Sequence, residues 1–211
     1  MGGIFALKVC VYAICKNESQ FVDRFMDSMS EADYVCVLDT GSSDDTVKKL
    51  RARGAIVGET VVSPWRFDTA RNESLGLIPA DADICCAIDL DEQFHPGWRA
   101  ALERAWQPDT TRARYRYTWS FRPDGSEGMV FWADKIHKNG CYRWASPVHE
   151  TLSYTGEGAE RFVDAAGVQL DHHPDETKSR GQYLPLLELA VREDPQNDRN
   201  CHYLGREYMF R

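Results

Sequence analysis

The sequence predicts an α/β fold: a mostly parallel central sheet flanked by helices, with a helical hairpin at the C-terminus. Three observations carry this. In the first half, short apolar or β-branched runs at 8–14, 34–38 and 84–88 alternate with segments of helical period. From Arg112 to His137, aromatic and polar residues alternate on both sides of Pro123-Asp124-Gly125, the pattern of an antiparallel hairpin. The end, "YLPLLELAVREDPQNDRNCHYLGREYMFR", reads as two helices about an Asp-Pro turn.

Each element has a local reason. Lys8 to Ile14 is apolar enough for a central strand. Asn17 can cap the helix that follows, with Phe21, Phe25 and Met29 on one face. Tyr34 to Leu38 is a second strand ending at Asp39, and Ser42 or Ser43 can cap a helix that Gly54 stops. Ala55 to Val57 forms a short third strand, Phe67 to Leu77 a helix capped by Asp68, and Ile84 to Ile88 a fourth strand. His95-Pro96 then opens a helix with Trp98, Leu102 and Trp106 on one face. A lone helical hairpin cannot bury its own face, so the last pair either packs on the domain or starts a longer helical region. The reading divides the chain into a catalytic-type domain, 1–178, and the hairpin, 179–211.

At 211 residues, with 43% hydrophobic and 27% charged residues, the chain can bury a full core. A net charge of −8 opposes non-specific binding to a phosphate backbone. The seven cysteines are odd in number, mostly in apolar runs, and show no CxxC pair. They read as buried thiols of a reducing compartment, which makes the expected location cytoplasmic. The N-terminal "MGGIFALKVCVYAICKNES" lacks a basic leader and runs into polar residues, so it is read as a strand rather than a signal peptide or membrane span.

Polar residues collect where predicted strands end: Lys16, Asn17 and Glu18 after the first, Asp39 after the second, and Asp89, Asp91 and Glu92 after the fourth. Ligands of open α/β sheets bind at such carboxyl ends. In an extended chain Asp89 and Asp91 share a side, and two hard oxygens there suit Mg²⁺ or Mn²⁺ completed by phosphate and water. Glu92 has no evident partner and reads as solvated. The alternating Tyr115, Tyr117 and Trp119 read as sheet packing, Arg112, Arg114 and Arg116 as one exposed strand face, and Cys85 and Cys86 as core. Trp65, Trp132 and Trp144 are candidates for stacking on a sugar ring.

Taken in order, "ICKNES", "LDTGSSDDT", "PWRFDTARNESL", "DADICCAIDLDEQF", "PVHETL" and "LDHHPDETKSRGQYLPLLELA" resemble a family 2 glycosyltransferase of the GT-A fold, of the group with a C-terminal tetratricopeptide-like extension. The resemblance implies a metal-dependent, inverting transfer, most often of a hexose, from a nucleotide-diphosphate sugar, UDP-sugars being the commonest donors. It implies that Lys16, Asn17, Glu18 and Asp39 hold base and ribose, that Arg71 lines the donor pocket, and that Asp89, Leu90 and Asp91 form the D-x-D site for Mn²⁺ or Mg²⁺. His172, in preference to His173, corresponds to a histidine reaching the metal, and Glu150 to the base, with Asp134 the competing candidate. The acceptor is left open among a glycan, a lipid-linked glycan, a protein and a modified base, as is a homodimeric state. Competing readings are a metal-dependent nucleotidyltransferase, which the absence of a Gly- and Lys-rich phosphate loop disfavours; a D-x-D-x-T phosphatase, disfavoured by Gln93; and a non-catalytic interaction module on the same scaffold.

Overall fold

The computed structural model describes residues 7–175 and 181–210. The proposed division at 178/179, and the six residues that open the chain, lie outside them.

In the first half, β1 (Val9–Cys15), α1 (Val22–Ser28), β2 (Tyr34–Asp39), α2 (Thr46–Ala52), β3 (Ile56–Glu59), α3 (Phe67–Ser74) and β4 (Ile84–Ala87) alternate as expected. Then come β5 (Glu92–Phe94), α4 (Trp98–Ala105), the hairpin of β6 (Arg112–Thr118) and β7 (Val130–Lys138), a small pair β8 (Tyr142–Ala145) and β9 (Thr151–Tyr154), and the long β10 (Phe162–His172). The chain closes with α5 (Tyr183–Glu193) and α6 (Asp198–Met209). The main sheet runs β3-β2-β1-β4-β7-β6-β10-β5. Strands β3, β2, β1 and β4 are parallel, β7 is antiparallel to both its neighbours, β10 runs parallel to β6, and β5 closes the edge antiparallel. This is the architecture expected of the GT-A class: a mixed, largely parallel sheet flanked by helices, with a C-terminal helix pair.

Period-two alternation along β1 sorts its side chains into two cores. Val9, Val11 and Ala13 join Phe25, Leu50 and Leu102 on one face, while Cys10 and Tyr12 join Cys36, Cys85 and Trp144 on the other. All seven residues of β1 are buried, as befits a strand covered on both sides. All seven cysteines are free thiols, and burial pushes the Cys85 thiol up to about 12.

Several local expectations are corrected. Asn17 does not cap α1; its Oδ1 accepts from the Ser43 amide at 2.7 Å. Neither Ser42 nor Ser43 caps α2, which starts after Asp45, and Asp44 accepts from the Thr46 amide at 3.0 Å instead. Asp68 sits in the first turn of α3 rather than before it, and the helix ends at Ser74 in a 3₁₀ turn, Leu75–Leu77. The arginines of β6 do not form a free face: Arg112 pairs with Asp134 and Glu160, Arg114 with Asp164, and Arg116 with Glu127. Strands β5 and β8 to β10 were not anticipated. The hairpin packs on the domain, with Leu186 and Leu187 against Val148 and flanked by Trp65, Phe67, Tyr183 and Tyr203.

A buried polar relay crosses the second core. His137 is 1% exposed, and its ring nitrogens lie 3.0 Å from the Lys138 carbonyl and 2.9 Å from the Tyr12 hydroxyl. The carbonyl can only accept, so Nδ1 carries the proton, Nε2 accepts from Tyr12, and Tyr12 accepts from Trp144 Nε1 at 3.0 Å. Burial holds this imidazole neutral, lowering its pKa to about 4. An unfolded histidine titrates near 6.5, so between the two values the unfolded chain binds the proton first. Stability is therefore complete above about pH 6.5 and falls as the pH drops toward 4, by on the order of 3 kcal/mol for this group. Urea denaturation across pH 4–7 checks this: His137→Gln should show the shallower loss on acidification.

Candidate active site

The carboxyl ends of β1, β2 and β4 open on a cleft of about 980 Å³. Lys16, Asn17, Glu18 and Thr40 line one side, and Asp91, Trp119 and His172 the other. Left-handed backbone at Asn17 (φ 53°) turns the chain sharply out of β1, and the Asn17 amide donates to Ser42 Oγ at 2.8 Å, joining the loops after β1 and β2. Asp39 is not itself on the cleft wall. Its carboxylate accepts from the amides of Gly41 at 3.0 Å and Ser42 at 2.8 Å and from the Ser42 hydroxyl, which shapes the turn beneath Thr40.

A smaller cavity of about 270 Å³ continues from the cleft; it adds Glu150, His149, Val148 and Arg199 to its lining. Five residues line both: Phe67, Arg71, Asp89, Lys135 and Tyr183. At this junction Arg71, 4% exposed, bonds through Nε to Glu150 and through Nη2 to Asp89 at 2.9 Å. Burial opposes its charge, yet the two carboxylates outweigh that and raise its pKa. Conversely, burial pushes Asp89 up, but Arg71 and Lys135 bring it down to about 2.

Asp89 to Glu92 is a turn rather than an extended segment, closed by the Glu92 amide on the Asp89 carbonyl at 2.9 Å. Two expectations fail here. Leu90, 0% exposed, points into the core and does not line the cleft with its side chain. Glu92 is not solvated: at 2% exposure it accepts from the Asp89 amide at 2.8 Å and from the Tyr117 hydroxyl at 2.6 Å. Burial raises its pKa, against the pull of Lys135, whose ammonium lies 3.7 Å away. Asp134 is also displaced from candidacy, since it pairs with Arg112 Nη2 at 3.1 Å and lines neither cavity; its neighbour Lys135 is the residue on the site side of β7.

For a divalent cation, the nearest donors are Asp91 Oδ2 and His172 Nε2, 3.4 Å apart on the cleft wall. His172 Nδ1 lies 3.1 Å from the Trp119 carbonyl, to which it donates, which aims Nε2 toward Asp91. Burial lowers the His172 pKa, but the Asp91 carboxylate beside it reverses this and raises it. Among the described residues no three acidic, histidine or cysteine side chains close around one point, because Asp89 faces Arg71 and Lys135. One carboxylate and one imidazole on an open wall fit a cation whose remaining ligands are phosphate oxygens and water. His173 stands apart, its ring stacked on Phe121 at 5.3 Å.

No protein-family model matches the chain. Among solved structures, it is similar to glucosyl-3-phosphoglycerate synthase from Mycobacterium tuberculosis. With that enzyme's complex with Mn²⁺, uridine diphosphate and phosphoglyceric acid it shares 26% identity at a TM-score of 0.44, over 53% of this chain and 43% of that one. With the Mn²⁺ and UDP-glucose complex the values are 25% and 0.44, over 53% and 44%. The match thus spans less than half of the length of those chains.

The aromatic candidates divide. Trp65 lines the cleft; Trp144 is buried beneath the Arg71 guanidinium, 5.0 Å from its ring, and is closed to a sugar; Trp132 is 53% exposed and lines neither cavity. Trp119, read as sheet packing, is 39% exposed and belongs to the cleft wall, its ring tilted against that of His172 with centroids 4.5 Å apart. The residues that sequence reasoning missed are Glu92, Lys135 and Trp119, along with Tyr183 and Arg199 of the hairpin. Alternation gives no signal for Lys135, because the register of β7 against β6 shifts at Asp134 and Lys135.

Arg71 is the pivot of this geometry. Arg71→Met should leave Glu150 without its counter-charge while Asp89 keeps only the more distant Lys135, and destabilise the fold by about 2–4 kcal/mol in urea denaturation. Arg71→Lys should recover little of it, because one ammonium cannot span both partners.

Proposed function

We propose that this chain is a metal-dependent glycosyltransferase that takes a sugar from a nucleotide-diphosphate donor and inverts the anomeric centre. The observation that carries this reading is the convergence, in one continuous cleft at the carboxyl ends of parallel strands, of Asn17, Glu18, Arg71, Asp91, His172 and Glu150, residues drawn from five separate sequence motifs. Chance gives a D-x-D often; it does not bring those motifs to one cleft.

In this reading the loop of Lys16 to Glu18, with Thr40 beside it, receives the nucleoside, uridine being the base that the sequence resemblance favours. Asp91 and His172 would hold Mn²⁺ or Mg²⁺, which when bound supplies Lewis-acid neutralisation of the diphosphate. Asp89 shapes the turn and fixes Arg71, which in turn aims Glu150 into the smaller cavity. There Glu150 accepts the proton of the acceptor as its oxygen attacks the anomeric carbon, from the face opposite the leaving group. The acceptor is a glycan, a lipid-linked glycan, a protein or a modified base.

No helix among the described residues is long and apolar enough to cross a membrane, and the free thiols support the expected reducing, cytoplasmic setting. The rival readings differ in what they bind: a nucleotidyltransferase would release pyrophosphate from a nucleoside triphosphate, and an interaction module would bind neither nucleotide nor metal.

A thermal-shift panel of nucleoside diphosphates and nucleotide sugars, with and without Mn²⁺, tests the donor site. At about a hundred times its Kd, the true donor should stabilise the fold by roughly 2.7 kcal/mol, and a flat panel would sink the reading. Glu150→Gln keeps an oxygen for Arg71, so it should retain metal-dependent nucleotide binding and abolish transfer; loss of binding instead would remove Glu150 from the role of base.

A further inference from the structure

Lys135 is the cation at the junction of the two cavities whose charge is held but whose donors are not spent. Its Nζ lies 3.7 Å from Asp89 Oδ2 and 3.7 Å from Glu92 Oε1, both outside hydrogen-bond length, with the side chain 31% exposed. Arg71, its neighbour there, is committed: Nε goes to Glu150 and Nη2 to Asp89, and Nη1 is sealed from solvent. An ammonium carries three N–H donors and no acceptor, so Lys135 has donors to offer an anionic ligand.

The position matters as much as the charge. Asp91 and His172 stand on the wall of the larger cleft and Glu150 in the smaller cavity, and Lys135 lines both. On the proposed reading, the scissile bond must lie between the diphosphate and the base, which is this junction.

We propose that Lys135 is a catalytic residue that binds the donor's sugar-bearing phosphate and takes up the charge that develops on it, an inference that rests on the glycosyltransferase reading. The bond between the anomeric carbon and the phosphate oxygen breaks and leaves its electron pair on that oxygen, beside the Lys135 ammonium. The acceptor oxygen supplies the pair for the new bond, and its proton passes to Glu150. With no acceptor present, water takes the acceptor's place and the donor is hydrolysed. Glu92 keeps the ammonium in position: it lines the same cleft, is buried, and is fixed by the Tyr117 hydroxyl and the Asp89 amide.

Donor hydrolysis tests this without knowledge of the acceptor. UDP-, GDP-, dTDP- and ADP-sugars are screened with the unaltered chain and Mn²⁺, and the hydrolysed donor is carried to Lys135→Met and Lys135→Arg, with Lys135→Gln in reserve if the methionine variant does not fold. Loss of a donor aimed at developing charge should cut kcat about 100-fold in Lys135→Met, while Lys135→Arg stays within about tenfold of the unaltered chain. Calorimetry at saturating Mn²⁺ supplies a readout independent of turnover: Lys135→Met should bind the nucleoside diphosphate of the hydrolysed donor about tenfold more weakly. Unchanged kcat and unchanged affinity for that nucleoside diphosphate would overturn the proposal. So would a variant that loses only Mn²⁺ affinity and recovers full kcat at saturating metal, which would make Lys135 a support for Asp89. If the unaltered chain binds and hydrolyses none of the donors, the glycosyltransferase reading falls, and the role of Lys135 falls with it.

Discussion

The rest of the site depends on one buried guanidinium. Arg71 ties Asp89, at the end of β4, to Glu150, in the loop between β8 and β9, and so joins the parallel half of the sheet to the small β8–β9 pair. Neighbouring bonds hold α3 in the same place. Asn72 brackets Trp144, accepting from its amide at 2.9 Å and donating to its carbonyl at 2.8 Å, and the Phe67 amide donates to the Pro147 carbonyl at 3.0 Å. A buried ion pair adds little net stability because desolvation offsets the attraction. What it secures is geometry: a planar fork with two carboxylate partners admits one orientation, and that orientation puts Glu150 opposite the D-x-D turn.

From Arg71 the charges alternate outward: Glu150, Arg71, Asp89, Lys135, Glu92, with the Tyr117 hydroxyl closing the series. Each carboxylate is set beside a cation, so Asp89 stays ionised in a buried setting that would otherwise protonate it. The strain sits in the loop that carries Glu150, where Ser146 (φ 78°) and His149 (φ 50°) are both in left-handed backbone. Non-glycine residues hold that conformation only where their surroundings impose it. Here the His149 ring is stacked on Tyr203 at 4.0 Å and its carbonyl accepts from Arg199, both from α6.

The parallel half of the fold was legible because its signals are local. Apolar runs such as Val9 to Cys15 and Ile84 to Ala87 are buried on both faces, and polar residues at their ends mark the cleft whatever the rest of the chain does. Asn17, Glu18 and Asp91 were marked by their positions at strand ends, whereas Arg71, His172 and Glu150 came from the family resemblance; the structure places all six on the cleft or the cavity that continues it. What escaped depends on long-range contacts. Strand β10 carries Asp164, Gly167, Gln169 and Asp171 through its length and shifts register between Asp164 and Gln169, so no clean alternation announces it. Leu90 and Glu92 exchanged their expected places because the D-x-D segment turns: the leucine swings into the core, and the glutamate is covered by Tyr117 from β6 and Lys135 from β7. Asp134 drew attention as an acid, yet the face of β7 it occupies was fixed by its pairing with Arg112 on the adjacent strand.

The C-terminal hairpin is part of the site rather than an appendage. Tyr183 of α5 lines both cavities, Arg199 of α6 lines the smaller one, and Glu193 pairs with Arg66 at the start of α3. Leu186 and Leu187 bury against Val148, one residue before His149. A carboxylate can serve as a base only if its loop keeps its distance from the bond being broken, and this loop is held from two sides, by Arg71 within the sheet domain and by α6 outside it. The hairpin therefore stands to the smaller cavity as Arg71 stands to the cleft.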